Sequence, residues 1–400
     1  MSFRKRNIGL SSSGPRDPSS NAPGALPAQH AKPAPMPGLR PSPIDGRQTT
    51  STGTPTLDNL LAGHAGLALG SSLLIEESGT TDFAGALLRY YAAEGVVQEH
   101  QIHVVGFDRQ WAASLPGLIG AAEASEYKSS RSKDEKMKIA WRYERLGGFG
   151  LGIAGSRVPA ATADSTSDSQ QATQGNAPAV FCHAFDLTKR LTHPSIQSIN
   201  FIPISKPASG QDSPYSSIIQ QLSDTINSSP TNVAHRLIIP SLLSPALYTT
   251  QASQPEHVLQ FVHGIRALLS THANRLTAMI TLPISLYPRS TGLVRWIELL
   301  SDGVIELAPF PHTLDASSLA SSGAATSQEE PPQGMLKVHR LPILHERGGG
   351  MDKNVGEDWA FTLSRRKFAI KPFSLPPVDG DNDAQQHDAS SVPKKEDLEF

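Results

Sequence analysis

The chain has 400 residues, of which 38% are hydrophobic, while glycine and proline number 32 each; part of its length therefore lacks core material. Thirty-seven acidic against 35 basic residues leave a net charge of −2, which excludes a uniformly basic nucleic-acid binder and an acid-rich solvating chain. A single cysteine, Cys182, excludes an intrachain disulfide framework and points to a reducing compartment.

Residues 1–45 carry nine prolines, from Pro15 to Pro43, with no hydrophobic period. They are net basic through Arg4, Lys5, Arg6, Arg16, Lys32 and Arg40, and are expected to stay disordered because they cannot bury enough surface to offset their ordering entropy. The first sixteen residues have charge but no apolar stretch, so they do not read as a secretory signal. A short apolar run, Ser71–Glu77, predicts a buried strand, and Thr80–Val97 has helical spacing through Phe83, Leu87, Leu88 and Tyr91. Gln101–Phe107 and His235–Ile239 predict two more strands. From Pro255 onward, Val258, Phe261, Val262, Ile265, Leu268 and Leu269 make a helical stripe. Leu276–Leu282 and Gly303–Leu307 read as strands around a short helix, Leu293–Leu300; Leu336–Leu341 and Ala360–Phe373 read as closing antiparallel strands. Low-complexity insertions are expected near 121–135, 155–178 and 313–334. Residues 377–400 form an acidic tail, with seven acids from Asp379 onward against Lys394 and Lys395. No apolar run approaches the roughly 18 residues of a membrane helix, so no membrane partner is expected. Strands alternating with helices predict an α/β domain over 46–376, with a mainly parallel sheet covered on both faces.

The run Ser51-Thr-Gly-Thr-Pro-Thr-Leu-Asp-Asn-Leu-Leu-Ala-Gly63, followed by a Gly-rich turn, a strand, a loop and a helix, resembles the start of a RecA-like ATPase core. In an active member the loop reads G-x-x-x-x-G-K-[ST], whose backbone amides and lysine hold the phosphates. Here Ser78, Gly79, Thr80, Thr81 and Asp82 form a degenerate phosphate loop with no lysine between Glu76 and Arg89, and two carboxylates, Glu76 and Glu77, stand at its beginning. At an effective dielectric of about 20, one charge pair at 4 Å is worth on the order of 4 kcal/mol, so exchanging attraction for repulsion disfavours a bound triphosphate. Pro240 stands where such an ATPase would carry its magnesium-binding acid. The loop is expected not to function in cofactor binding, and no catalytic or metal-binding residue is expected. His257, His263 and His272 lack zinc spacing, and Cys182 with His183 lacks a third member for nucleophilic catalysis. Cys182 is expected in the core.

Three further runs carry a narrower resemblance: Lys136-Met-Lys-Ile-Ala-Trp-Arg-Tyr143, Phe181-Cys-His-Ala-Phe-Asp-Leu-Thr-Lys-Arg190 and the acidic, apolar-capped Lys395-Glu-Asp-Leu-Glu-Phe400. With the opening motif, they make the chain similar to the PAXNEB family, the fourth subunits of the Elongator complex. The resemblance implies a subunit that is not an enzyme by itself. It would assemble with Elongator subunits five and six into a heterohexameric ring and join the catalytic and scaffold subunits one, two and three. The ring would bind tRNA and support carboxymethyl-type modification of the wobble uridine (U34), in cytoplasm and nucleus. The chain needs no cofactor of its own in this reading; ATP would belong to interfaces of the ring. A working RecA-like ATPase and a recombinase-type DNA-repair mediator are the alternatives.

Trp141, Arg142 and Tyr143 fit a subunit interface, where these residue types act as anchors, or an edge strand packed on its own core. Arg289, between a strand and the next helix, could pair with a tRNA phosphate; a surface arginine without a ligand is the plainer reading. Arg365, Arg366 and Lys367 cannot share one face of a strand and mark a hairpin turn or edge.

Overall fold

The computed structural model describes residues 36–61, 63–120, 180–204, 213–311, 331–342 and 358–373. The expectations for 1–35, 121–135, 155–178 and 377–400, and for most of 313–334, lie outside the described residues, as do Trp141, Arg142 and Tyr143.

Strands β1 (Leu39–Pro41), β2 (Gln48–Thr50) and β3 (Leu67–Ala68) make a small antiparallel sheet, with helix α1 (Pro55–Leu60) between the last two. Then follow β4 (Ser72–Glu77), α2 (Phe83–Val97), β5 (Gln101–Val105), the paired β6 (Pro116–Leu118) and β7 (Phe185–Arg190), and β8 (Asn200–Ile202). Next come α3 (Ser216–Ser228), β9 (His235–Ile239), α4 (Pro255–Thr271), β10 (Leu276–Pro283), α5 (Gly292–Leu300) and β11 (Gly303–Pro309). Strands β12 (Gly334–Arg340), β13 (Trp359–Leu363) and β14 (Phe368–Pro372) close the described chain. The main sheet runs β14-β13-β12-β11-β4-β10-β9-β5-β8. From β11 to β8 every neighbour is parallel, and β12 to β14 continue antiparallel at the other edge.

Side-chain alternation along each strand supplies two cores. Leu73 and Ile75 of β4, Ile238 and Met279 face α1 and α2, whereas Leu74, Leu237, Ile239 and Ile280 face α3, α4 and α5. Helix α4 starts with Pro255 in its first turn, where the missing N–H costs nothing, and buries the whole predicted stripe from Val258 to Leu269. The mainly parallel sheet with helices on both faces agrees with the sequence reading.

Three boundaries differ. β1 lies within the stretch 1–45 expected to be disordered; its strength comes from pairing with β2 and from contacts distant in sequence. Arg40 lies 3.5 Å above the Phe181 ring, and Ser42 Oγ is 2.7 Å from His64 Nδ1. Helix α2 begins at Phe83, not Thr80, because Thr80 to Asp82 belong to the loop before it. Cys182 is half-buried in a bend ahead of β7 and is not a core strand residue. Arg365, Arg366 and Lys367 do form the β13–β14 turn, closed by Ser364 N–H donating to the Lys367 carbonyl at 2.9 Å.

A cationic side chain lies fully inside this fold. Arg236 on β9 is 0% exposed; its guanidinium donates to His100 Nδ1 (3.0 Å), the Ser51 and Tyr91 carbonyls (2.9 Å each) and Thr50 Oγ1 (2.7 Å), and stacks 4.6 Å over the Tyr91 ring. Burial lowers its pKa, while Tyr91, Glu94 and Asp58 favour the charge. Helix α2 approaches so closely that a Cβ at Gly95 would lie 2.6 Å from Arg236 Cδ. The Ser-Thr-Gly…Leu-Asp motif is the other half of this arrangement. Asp58, on α1, accepts from Ser51 Oγ (2.6 Å), Thr52 N–H and Thr52 Oγ1 (2.7 Å each). Gly53 has φ +77°, and a Cβ there would collide with the Tyr90 carbonyl.

His100, beside Arg236, is pushed down to about 3 by burial first and then by the guanidinium. Its folded pKa is depressed, so its contribution to stability is in place above the unfolded value near 6.5 and drains away as pH falls. Urea unfolding of wild type and His100→Gln should show their stability difference narrowing by on the order of 1 kcal/mol between pH 6.5 and 5.5.

Candidate functional site

In open parallel sheets ligands gather outside the carboxyl ends of the strands, and here those ends belong to β4, β10 and β11. β4 ends in Glu76 and Glu77, and the loop Ser78–Asp82 leads into α2. The first amides of a helix lack intrahelical partners and carry partial positive charge, which makes them an anion site. Glu77 fills it. Its Oε1 accepts from Phe83 N–H (3.0 Å) and Thr81 Oγ1 (2.6 Å), and its Oε2 from Ala84 N–H (2.9 Å). Burial nevertheless raises the Glu77 pKa, with the bonds from Thr81, Ala84 and Phe83 opposing.

The loop itself turns outward. Gly79 has φ +119°, its carbonyl accepts from Ser285 Oγ at 3.1 Å, and Ser78 N–H donates to Leu307 on β11 at 3.0 Å. Thr80 and Asp82 are exposed. Asp82 stands at the N-cap of α2 without a side-chain capping bond; its carboxylate pairs with Arg89 at 2.9 Å. The carboxylate complementing the helix dipole is therefore Glu77, not Asp82.

Beside the loop lies a second charged group. In the parallel register of β4 and β11, Glu306 sits directly across from Glu76, a like-charge pairing that needs compensation. Glu306 receives it from His339 Nε2 (2.8 Å) and Lys337 Nζ (3.3 Å), both on β12. Burial disfavours its ionisation, but these two partners outweigh that and hold its carboxyl below the usual range. Glu298 of α5 is gripped by Arg289 at 2.7 and 3.0 Å and by Arg295 at 2.9 Å, which likewise lower its pKa against burial. Glu76 is 0% exposed; Arg289 Nε lies 3.1 Å from its Oε2, and its carboxyl stands within hydrogen-bond reach of Glu298. Burial, and next the charge of Glu298, raise the Glu76 pKa, so this carboxyl favours its neutral form. Arg289, singled out as a candidate tRNA contact, thus directs its guanidinium at Glu298, Glu76 and His339 Nδ1 (3.2 Å).

Glu76, Glu306 and His339 bring three potential ligand atoms within 4.8 Å of one another. The cationic role there is filled by Arg289 and Lys337, so the arrangement fits an internal salt cluster better than a metal centre. After β9, Pro240 offers its carbonyl to Tyr248 Oη at 3.3 Å, and Ser241 N–H donates to Thr281 Oγ1 at 2.7 Å; the residues that leave this strand, Pro240-Ser-Leu-Leu-Ser244, include no acid. Sequence reasoning named Glu76 and Glu77 as repulsive elements but missed the roles of Glu298, Glu306 and His339. The available signal was a glutamate in each of two adjacent apolar strands.

The PAXNEB protein family model matches residues 32–400 of this chain. Elongator complex protein 4 of Schizosaccharomyces pombe is 31% identical over 354 residues, covering 86% of this chain and 89% of that protein. Elongator complex protein 4 of Saccharomyces cerevisiae is 26% identical over 389 residues (88% and 79%), and that of Homo sapiens 27% over 375 residues (85% and 80%).

Removing the carboxylate cap should loosen α2: Glu77→Ala is expected to cost about 1–2 kcal/mol in urea unfolding, and Glu77→Gln, which keeps acceptor oxygen, less. Glu76 carries the opposite pH signature to His100. Its folded pKa is raised, so stability is full below the unfolded carboxyl value and is lost as pH rises through the folded one. Glu76→Gln should therefore gain stability relative to wild type from pH 5 to pH 9, read as a widening difference in urea midpoints.

Proposed function

Because the chain belongs to the PAXNEB family, we propose that it is the fourth subunit of an Elongator complex and serves as a non-catalytic, RecA-like assembly subunit. In this reading it joins Elongator subunits five and six in a heterohexameric ring attached to subunits one, two and three. The ring binds tRNA and supports carboxymethyl-type modification of the wobble uridine, in cytoplasm and nucleus. The observation that carries the non-catalytic part is the Glu77 carboxylate on the N-terminal amides of α2. A RecA-like ATPase would seat phosphate oxygens on such donors; here a side chain of the same polypeptide satisfies them, and the loop lacks a lysine. The absence of an acid at Pro240 supports the same conclusion, since magnesium prefers carboxylate oxygen. Membership of the complex is supported by the names and extent of the similar proteins.

The purified full chain should turn over ATP no faster than a protein-free control, measured as released phosphate. A tagged copy expressed in its own cells should recover two other RecA-like chains together with larger subunits, identified by mass spectrometry. Brisk hydrolysis by the isolated chain, or recovery of the tagged chain alone, would overturn the reading.

A further inference from the structure

Helix α5 buries Val294, Ile297 and Glu298, yet leaves Trp296 57% and Leu299 43% exposed. At a spacing of three these side chains are neighbours on one helix surface. Two arginines from other elements converge beside them. Arg266 of α4 and Arg340 of β12 both donate to the Leu299 carbonyl, at 3.4 and 3.3 Å. Sharing one acceptor brings their guanidinium nitrogens within roughly 7 Å of each other, inside the Debye length of about 8 Å at physiological salt. Among the described residues neither meets a carboxylate. The carboxyl end of a helix carries only about half a unit of negative charge, so two full positive charges exceed what α5 itself can offset. Arg295 adds a third guanidinium, its side chain 64% exposed. Arg295 and Arg340 line a cleft of about 500 Å³ that has Leu299 as an apolar wall. Glu298, which also lines it, is held by Arg289 and Arg295, and Glu306 by Lys337 and His339.

Excess positive charge beside an exposed tryptophan and leucine defines the chemistry of what would cover this face. A carboxylate accepts from a guanidinium at about 2.8 Å and fits between the paired arginines. The apolar pair calls for a large hydrophobic side chain in the same ligand. Tryptophan and arginine are also the residue types that carry most of the binding energy at protein interfaces. A nucleic acid suits the face less well, because its phosphates need cations strung along a track and Leu299 offers no ring on which a base can stack. We propose that the Trp296–Leu299 face of α5 docks a segment of another protein in which acidic residues flank a large apolar one. Its carboxylates meet Arg266, Arg295 and Arg340, and its apolar side chain covers Trp296 and Leu299. This docking does not rest on the ring assembly or on the phosphate loop.

Selecting a display library of random short peptides on the full chain tests it. The selected peptides should be rich in aspartate and glutamate beside leucine, phenylalanine or tryptophan. The tightest of them, carrying a photoreactive group, should cross-link to residues 266, 295–299 or 340. Trp296→Ser and Arg340→Glu, introduced separately, should each weaken that peptide's binding about tenfold, with the thermal midpoint held as the folding control. Exchanging the peptide's acids for lysine should abolish binding to wild type and restore it to the Arg266→Glu, Arg340→Glu double variant. A merely structural role of the arginines would not give that reversal. A single-stranded oligouridylate should bind the Trp296→Ser and Arg340→Glu chains no more weakly than wild type. Selected peptides without acids, cross-links to other surfaces, binding indifferent to both variants, or oligouridylate binding lost in them would overturn the proposal, as would a library that yields no binder.

Discussion

The carboxylate of Glu77 sits on the partly positive first amides of α2, and much of the site follows from that contact. A helix N-terminus pointing into a strand-loop-helix turn must satisfy its free amides with water, a ligand or a side chain. Here β4 delivers its own last residue to them. The loop between is then free of the geometry a phosphate would impose, and Gly79 to Asp82 lie at the surface. The same strand end brings Glu76 beside Glu298 and Glu306. The three acids are tolerated because Arg289, Arg295, Lys337 and His339 converge on them from α5, β12 and the preceding loop. Charges in such a cluster fix which elements meet, since removing one partner leaves another buried and unsatisfied.

A second buried charge organises the amino-terminal part of the fold. Arg236 reaches from the middle of the sheet, between α2 and the segment around Ser51, and ties together the Ser51 and Tyr91 carbonyls and the His100 ring. The Ser-Thr-Gly…Leu-Asp motif is consequently architectural. Asp58 holds the turn, Gly53 lets α2 approach, and the Ser51 carbonyl accepts from the guanidinium.

Elements whose residues face a core along their whole length were legible in the sequence. His235–Ile239 was predicted to the residue, and α4 by its stripe, because burial imposes a period that pattern alone reveals. The short strands β1, β3, β6 and β8 were not read, since two- and three-residue strands carry too few alternations and depend on partners distant in sequence. Helix α3 was missed although Ile218, Leu222 and Ile226 lie one turn apart, because serine and glutamine dominate its other faces. At the site, the missing lysine and the two glutamates were plain. That Glu77 would turn back onto α2 while Glu76 stayed dry depended on strand alternation and the loop's turn, and only three-dimensional placement decides those.

The contacts of Arg236 also bear on how the polypeptide is made. The Ser51 carbonyl and the Arg236 guanidinium are separated by 185 residues, and at a translation speed of about 5–20 residues per second that gap takes roughly 10–40 s to cross. The nascent amino-terminal hairpin, with α1 and α2, therefore waits on the ribosome beside a vacant slot until β9 emerges to fill it. During that interval the early segments present apolar surface without their cationic clasp, and that is the period in which a chaperone would find its substrate.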